Sequence, residues 1–405
     1  MTWRELFPGV GEAEWRDWRW QQRHVLSSAS ELDRVIRLSD DERRGLSLAE
    51  GRFRVGVTPY YASLMDPEHP SCPIRLQGLP SAAELIPARG DLDDPIGEEP
   101  HRPARAVVHK YADRVLFLVV DRCAVYCRHC TRRRITFADA GGFDRAAVEE
   151  GVAYVRAHAE VRDVIVSGGD PLVLADERLL EVLAALRAIP HVQLLRLATR
   201  APVTCPMRVT DALAAGLRRL APLFVITHFN HPRECTPEAR EACERLVDHG
   251  VPVENQSVLL RGVNSSARLL LDLNQTLLTW RVRPYYLHQG DLASGTAHLR
   301  TPLAAGVAIL EAMRGRTSGL AIPHLAVDLP GGGGKVTLAP DYRVAAPSPD
   351  GAPGQWFRNH RGERRFYPEP PQEDCACPYE AIYYGPGGHG APAQGGSQSG
   401  PPAAD

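Results

Sequence analysis

The spacing of apolar and polar positions changes near Val107. From Glu12 to about Leu48, Trp15, Trp18, Trp20, Leu32, Val35 and Ile36 stand among many charges at helical spacing, which predicts a helical N-terminal region. Between Thr58 and Pro103 prolines recur, as in TPYYASLMDPEHPSCPIRLQGLP; they block long helices and predict an extended segment laid over another surface. Beyond Val107 short apolar runs appear at 115–120, 163–167, 193–199, 223–229, 254–260 and 283–289, separated by helical patterns near 144–159, 176–188, 207–220, 236–249, 266–280 and 301–314. Six strand-helix repeats predict an α/β fold with a parallel sheet, because each return to a parallel neighbour needs a crossover helix. Periodicity alone does not say whether such a sheet closes. A further apolar run, LAIPHLAVDLP, leads into Gly331 to Gly334 and Lys335. The expected organisation is a helical and extended region over 1–105, the strand-helix repeats over 106–330, a lysine-bearing C-terminal segment over 331–385, and a tail over 386–405 too poor in apolar side chains to order.

Composition narrows the partners. The 405 residues are 44% hydrophobic and 24% charged with a formal charge of -2, which favours a small molecule over a polyanion or an acidic membrane surface. The N-terminus lacks the apolar core of a signal peptide, and no run reaches the ~18 apolar residues of a membrane span, so a cytoplasmic location is expected. In a reducing compartment, clustered cysteines suggest metal binding and not disulfides.

Directly after the first strand comes Cys123-Ala-Val-Tyr-Cys127-Arg-His-Cys130. Structural zinc sites and ordinary ferredoxin clusters take four protein ligands, and no fourth cysteine follows before Cys205. Three ligands leave one iron of a cubane open to chelate a cofactor, and this spacing resembles that of the radical S-adenosylmethionine superfamily, in which the cluster delivers one electron to the sulfonium and releases a deoxyadenosyl radical. The plainer alternatives are a zinc knuckle that adds His129, or thiols in a loop. At the end of the second strand, Ser167-Gly168-Gly169-Asp170 reads either as a turn capped by Asp170 or as a place where backbone approaches a ligand closely. Beside the cysteine loop it resembles the superfamily's glycine-rich segment for the amino group of S-adenosylmethionine.

Together, CAVYCRHCTRRR, THFNHPRE, NQSVLLRGVN, PYYLHQGD, RTPL and VDLPGGGGK resemble lysine 2,3-aminomutase, from the tryptophan-rich N-terminus to about Tyr367. The resemblance implies a partial (β/α)6 barrel of TIM type with a helical N-terminal extension and a C-terminal segment. It implies a 4Fe-4S cluster on Cys123, Cys127 and Cys130, S-adenosyl-L-methionine as cofactor, and pyridoxal 5'-phosphate joined to Lys335 through a Schiff base. Arg132 matches the residue that pairs with the substrate carboxylate, and Asp291 and Asp328 match the two carboxylates that hold the distal ammonium. His228 and Gln256 fall in motifs near the S-adenosylmethionine pocket, and Tyr111 and Arg114 in a segment near pyridoxal phosphate. The implied activity is interconversion of L-lysine and L-β-lysine. Its rivals are a 2,3-aminomutase for arginine or another basic amino acid, an enzyme acting on a lysine within a protein, and a non-catalytic iron-sulfur module. An amino acid as substrate, an electron donor such as flavodoxin or ferredoxin, and a homo-oligomer accompany this reading, without nucleic acid or membrane.

The residue types suit that chemistry. Moving an amino group to the neighbouring carbon requires activating a β C–H bond too weakly acidic for a carboxylate or histidine base, hence a radical. Two buried carboxylates repel each other, so a cation between them is their natural partner. The run GGGGK is no phosphate loop, since Leu329 and Val336 stand where that motif needs Gly and Ser or Thr. Arg128, Arg132, Arg133 and Arg134, in a chain of net charge -2, suit carboxylates in a pocket better than nucleic acid, some of them being structural. One feature departs from the family: its C-terminal zinc site would need a third cysteine after Cys375 and Cys377, where Glu380 stands, and a distant cysteine where Ser265 and Ser266 stand. Two thiolates do not complete a tetrahedral site, so zinc is not expected.

Overall fold

Residues 107–338 build one nine-stranded sheet whose strands follow one another in chain order, β1 (Val107–Tyr111), β2 (Arg114–Val120), β3 (Asp163–Gly168), β4 (Leu194–Ala198), β5 (Leu223–Thr227), β6 (Val253–Leu259), β7 (Val282–Gln289), β8 (His324–Leu329) and β9 (Gly334–Leu338). The computed structural model describes residues 2–50, 53–137 and 142–369. Strands β2 to β8 are parallel, and β1 and β9 pair antiparallel on the two edges. The parallel strands are linked by the helices Arg145–Ala157, Asp176–Arg187, Asp211–Arg218, Pro237–Asp248, Ala267–Thr279 and Leu303–Met313, one for each helical pattern in the sequence. The seventh parallel strand is the run LAIPHLAVDLP, and the antiparallel edge β1 carries no distinct sequence signal beside β2.

Strand alternation divides the sheet into two faces. On β4 the outward residues Leu195 and Leu197 are fully buried against helices, while Leu194, Arg196 and Ala198 face the hollow of the sheet. On β6, Glu254, Gln256 and Val258 face the same hollow. Helix starts follow local chemistry: Thr236 accepts a hydrogen bond from Ala239 N–H at 3.1 Å, and Pro237, which lacks a donor, opens the first turn.

The N-terminal region is helical in short pieces, of which Asp40–Ala49 is the longest. Trp15 joins them, stacking on Trp3 at 4.5 Å and meeting Trp20 at 6.2 Å. The proline-rich stretch differs from the extended segment expected. Pro59 and Pro73 sit at first helical positions and start the short helices Pro59–Ser63 and Pro73–Gly78, the use of proline that costs no hydrogen bond. Further on, Gly97 lies so close to Gly332 that an added Cβ would stand 2.6 Å from Gly332 N. That contact packs the segment beside the sheet edge.

The larger of two compact units runs to Pro340 apart from His158–Glu160; the smaller takes those three residues and the chain from Asp341. The smaller unit holds a three-stranded antiparallel sheet, β10 (Arg343–Val344), β11 (Gly354–Arg358) and β12 (Arg364–Pro368). Cys375, Cys377, Glu380 and the tail 386–405 lie outside the described residues. No helix among the described residues is long and apolar enough to cross a membrane.

Candidate active site

Parallel strands end on one rim, so loops far apart in sequence converge there. A cavity of about 800 Å³ runs through the hollow of the sheet, bordered by side chains from all nine strands. All fifteen residues singled out from the sequence line it: Tyr111, Arg114, Cys123, Cys127, Cys130, Arg132, Ser167, Gly168, Gly169, Asp170, His228, Gln256, Asp291, Asp328 and Lys335.

The three thiols are reduced and partly exposed to the cavity. Burial pushes the Cys123 and Cys130 thiols above the ordinary range. Cys127 Sγ accepts a hydrogen bond from Arg200 Nη1 at 2.8 Å, and Cys130 Sγ lies 3.7 Å from Thr136 Oγ1. Among the described residues, no three His, Cys, Asp or Glu side chains close around a single-ion position. His129 is not a spare ligand. Asn230 Oδ1 accepts from Val258 N–H, which fixes Asn230 Nδ2 as the donor to His129 Nε2 at 3.4 Å and leaves the proton on His129 Nδ1. That Nδ1 is buried without a hydrogen-bond partner among the described residues.

Gly168 and Gly169 approach protein, not only open space. A Cβ on Gly168 would lie 2.2 Å from Val120 O, and one on Gly169 2.2 Å from Arg122 O. The backbone of Gly169 and Asp170 donates to those same two carbonyls. The glycines therefore bring the start of the cysteine loop against the end of β3. Gly169→Ala is expected to displace that loop and lower metal affinity about 10- to 100-fold while the far-ultraviolet circular dichroism stays native; iron and sulfide analysis after anaerobic reconstitution checks this. Asp170 spends its carboxylate internally, accepting from Leu172 N, Thr199 Oγ1 and Arg200 N.

Of the four clustered arginines, Arg132 alone lines the cavity. Its Nε donates to Glu98 Oε1 at 2.8 Å, and its terminal nitrogens have no hydrogen bond among the described residues. Arg128 and Arg133 both bind the buried Glu84, and Arg134 binds Asp94 and Glu99, so these three tether the proline-rich segment.

Lys335 lies in strand β9, directly after the run of four glycines. Gly331, Gly332 and Gly334 have φ of 65°, 83° and 84°, conformations that glycine adopts without steric cost, and they form a turn that returns the chain as β9. Lys335 is then the direct cross-strand partner of Asp328, and its Nζ forms an ion pair with Asp328 Oδ2. Its backbone N–H donates to Tyr111 Oη at 3.1 Å, joining the two edge strands, and the Arg114 guanidinium stacks 4.2 Å from the Tyr111 ring. Asp291 accepts a hydrogen bond from Thr131 Oγ1. Burial raises its pKa, which the Thr131 hydrogen bond opposes and the charge of Asp328 reinforces.

A polar chain crosses the cavity from Lys335. Lys335 Nζ lies 3.3 Å from His288 Nδ1, His288 Nε2 lies 3.2 Å from Gln256 Oε1, and Gln256 Nε2 lies 2.8 Å from His228 Nε2. One set of roles satisfies every link, with Lys335, His288 and Gln256 each donating to the next residue. Burial, with the charge of Lys335, holds His288 well below the usual histidine range; burial, with Arg200 and Arg132, pushes His228 down to about 3. Both imidazoles are neutral. The sequence reading missed His288 as a site residue, although it lies two positions after the cavity-lining Tyr286, on the same face of β7. It also missed Glu98 and Arg200, for which no spacing signal exists.

A family model described as Radical SAM superfamily matches residues 117–273, and one described as Lysine-2,3-aminomutase matches residues 310–385. The chain is 44% identical over 366 residues to the L-lysine 2,3-aminomutase of Bacillus subtilis, covering 90% of this chain and 77% of that protein. With the L-lysine 2,3-aminomutase of Clostridium subterminale the identity is 44% over 373 residues, covering 92% and 89%. A glutamate 2,3-aminomutase of Clostridioides difficile is 42% identical over 334 residues, covering 82% and 79%.

Proposed function

We propose that this chain, which belongs to the lysine 2,3-aminomutase family of radical S-adenosylmethionine isomerases, converts L-lysine to L-β-lysine with pyridoxal phosphate as a further cofactor. Membership of the superfamily brings a 4Fe-4S cluster and S-adenosylmethionine. The observation that carries the substrate reading is the pair Asp291 and Asp328 on the cavity that also holds Lys335, Arg132 and the three cysteines. Glutamate fits this end of the cavity poorly, because its side-chain carboxylate would face two others in a site of low dielectric.

The residues present fit the cofactors. Cys123, Cys127 and Cys130 would hold the cluster. Ser167 to Asp170, His228 and Gln256 would hold S-adenosylmethionine, and Lys335, Tyr111 and Arg114 pyridoxal phosphate. When bound, the cluster and S-adenosylmethionine supply a radical able to take hydrogen from an unactivated carbon, and pyridoxal phosphate supplies a carbon to which the migrating nitrogen is tied. The chain's own part is positioning. Arg132, steadied by Glu98, grips the substrate carboxylate through its terminal nitrogens. Asp328 is neutralised by Lys335 in the free protein, and with Lys335 joined to pyridoxal phosphate that carboxylate would be open to the substrate's distal ammonium. His288 accepts from Lys335 and, through Gln256, keeps its proton on Nε2. Holding both ends of the substrate fixes which hydrogen is exposed, an effect worth several kcal/mol and roughly 7 to 11 where alignment is complete. An electron donor of the flavodoxin or ferredoxin class and assembly into a homo-oligomer complete the reading.

The anaerobically reconstituted enzyme is expected to convert L-lysine to β-lysine, to leave norleucine and glutamate essentially untouched, and to handle arginine poorly. Asp328→Asn or Asp291→Asn should lower kcat/KM for lysine about 100-fold, near 3 kcal/mol, with iron content unchanged. Mass-spectrometric product identification decides the matter: arginine converted well while lysine is untouched, or norleucine turned over like lysine, would overturn the substrate assignment.

A further inference from the structure

We propose that Arg200 sets the reduction potential of the iron-sulfur cluster through its hydrogen bond to Cys127, and that Glu234 limits the effect by partly neutralising it. The proposal rests on Cys127 being a cluster ligand.

Arg200 follows the end of β4 and is buried, with 8% of its surface exposed. Each of its nitrogens is engaged. Nε donates to His228 O at 3.2 Å, and Nη2 reaches Tyr61 Oη at 3.0 Å, Gln77 Oε1 at 2.6 Å and Glu234 Oε1 at 2.7 Å. Nη1 has the Cys127 sulfur at 2.8 Å as its hydrogen-bond acceptor. Glu234 is fully buried and shares its carboxylate with Tyr61 Oη, Gln77 Nε2 and the backbone N–H groups of Asn230 and His231. The surrounding network thus pins the guanidinium in place from segments far apart in the chain, and the remaining nitrogen is directed at one sulfur.

That contact acts on the electron-transfer step. A reduced flavodoxin- or ferredoxin-type donor gives up one electron, and the cluster goes from the 2+ to the 1+ state with no bond made or broken. Part of the added negative charge resides on the thiolate sulfurs. A buried N–H donor and positive charge at Cys127 stabilise the reduced state more than the oxidised one, which raises the potential. Glu234, paired with the same guanidinium, works in the opposite direction.

Opposite shifts from the two partners separate this role from simple bracing. Arg200→Gln should make the potential more negative, with the reduced-to-oxidised ratio at fixed applied potential falling about tenfold, or about 59 mV for one electron. Glu234→Gln should move it the other way, and the double variant should lie between the two. The measurement is a redox titration of the reconstituted full chain without S-adenosylmethionine, followed by electron paramagnetic resonance of the 1+ state. Unchanged potentials, or shifts of the same sign, overturn the proposal. The unmutated protein labelled with 15N-arginine gives a reading even if the variants fail to assemble: a nitrogen coupling to the reduced cluster is expected, and its absence counts against the contact. Cys127→Ser tests the underlying assignment by itself, because a native cluster signal in that variant would remove Cys127 as a ligand whatever Arg200 does.

Discussion

Cys130→Ala is expected to yield a folded protein that no longer assembles a productive cluster and turns over lysine at the uncatalysed rate. The side chain it removes is only partly buried, with Thr136 Oγ1 at 3.7 Å and the Arg132 backbone N–H beside its sulfur, so the fold loses little. The chemistry loses its initiator. None of the cavity's carboxylates or neutral imidazoles is basic enough to take a proton from an unactivated β carbon, so no second route through the same residues exists. The expected drop is therefore the whole enzymatic acceleration, at least about 10⁶-fold. Anaerobic turnover with L-lysine, measured beside iron content and circular dichroism, checks this; full turnover by the variant would remove Cys130 from the cluster.

Lys335→Ala has a comparable effect on turnover with a different signature. Cluster content and binding of S-adenosylmethionine should remain, since Lys335 touches neither the cysteine loop nor the glycine segment among the contacts described, while turnover falls by roughly 10⁴ or more, the scale seen when a covalently acting residue is lost. In the unmutated protein, borohydride should fix pyridoxal phosphate on Lys335, and peptide mapping should find it there. Label on Lys110 instead, the other lysine on the cavity, would overturn the assignment. The variant also leaves Asp328 and Asp291 without the ammonium that now lies between β8 and β9. Its cavity should take up alkylammonium ions more readily than the unmutated protein does before cofactor loading.

The parallel sheet was readable in the sequence because it is made of local periods. Runs such as DVIVS and LLRLA alternate between one face against helices and one facing the cavity, and every crossover helix carries its own apolar stripe. The residues taken from motif resemblance all line the cavity, and His288, Glu98 and Arg200 line it without having been singled out. What escaped were features that depend on pairing between distant segments. Four glycines precede Lys335, and the positive φ values of Gly331, Gly332 and Gly334 build the turn that sets Lys335 opposite Asp328. Glu98 lies in a proline-rich stretch with no period, and it matters only because Arg132 meets it across 34 residues. Arg200 is one arginine after an apolar run, and its partners come from residues 61, 77, 127, 228 and 234. No window of sequence contains that network.

The bond from Lys335 N–H to Tyr111 Oη spans 224 residues and joins the first strand of the sheet to the last. Contacts of such separation carry a large loop-closure cost and form late. A chain emerging during synthesis can pair β1 with β2 and add strands in order, but the lysine has nowhere to dock until β9 has been made and has folded back along β8. Attachment of the cofactor would then be among the last events of maturation, and a shortened or stalled chain would remain unable to retain it.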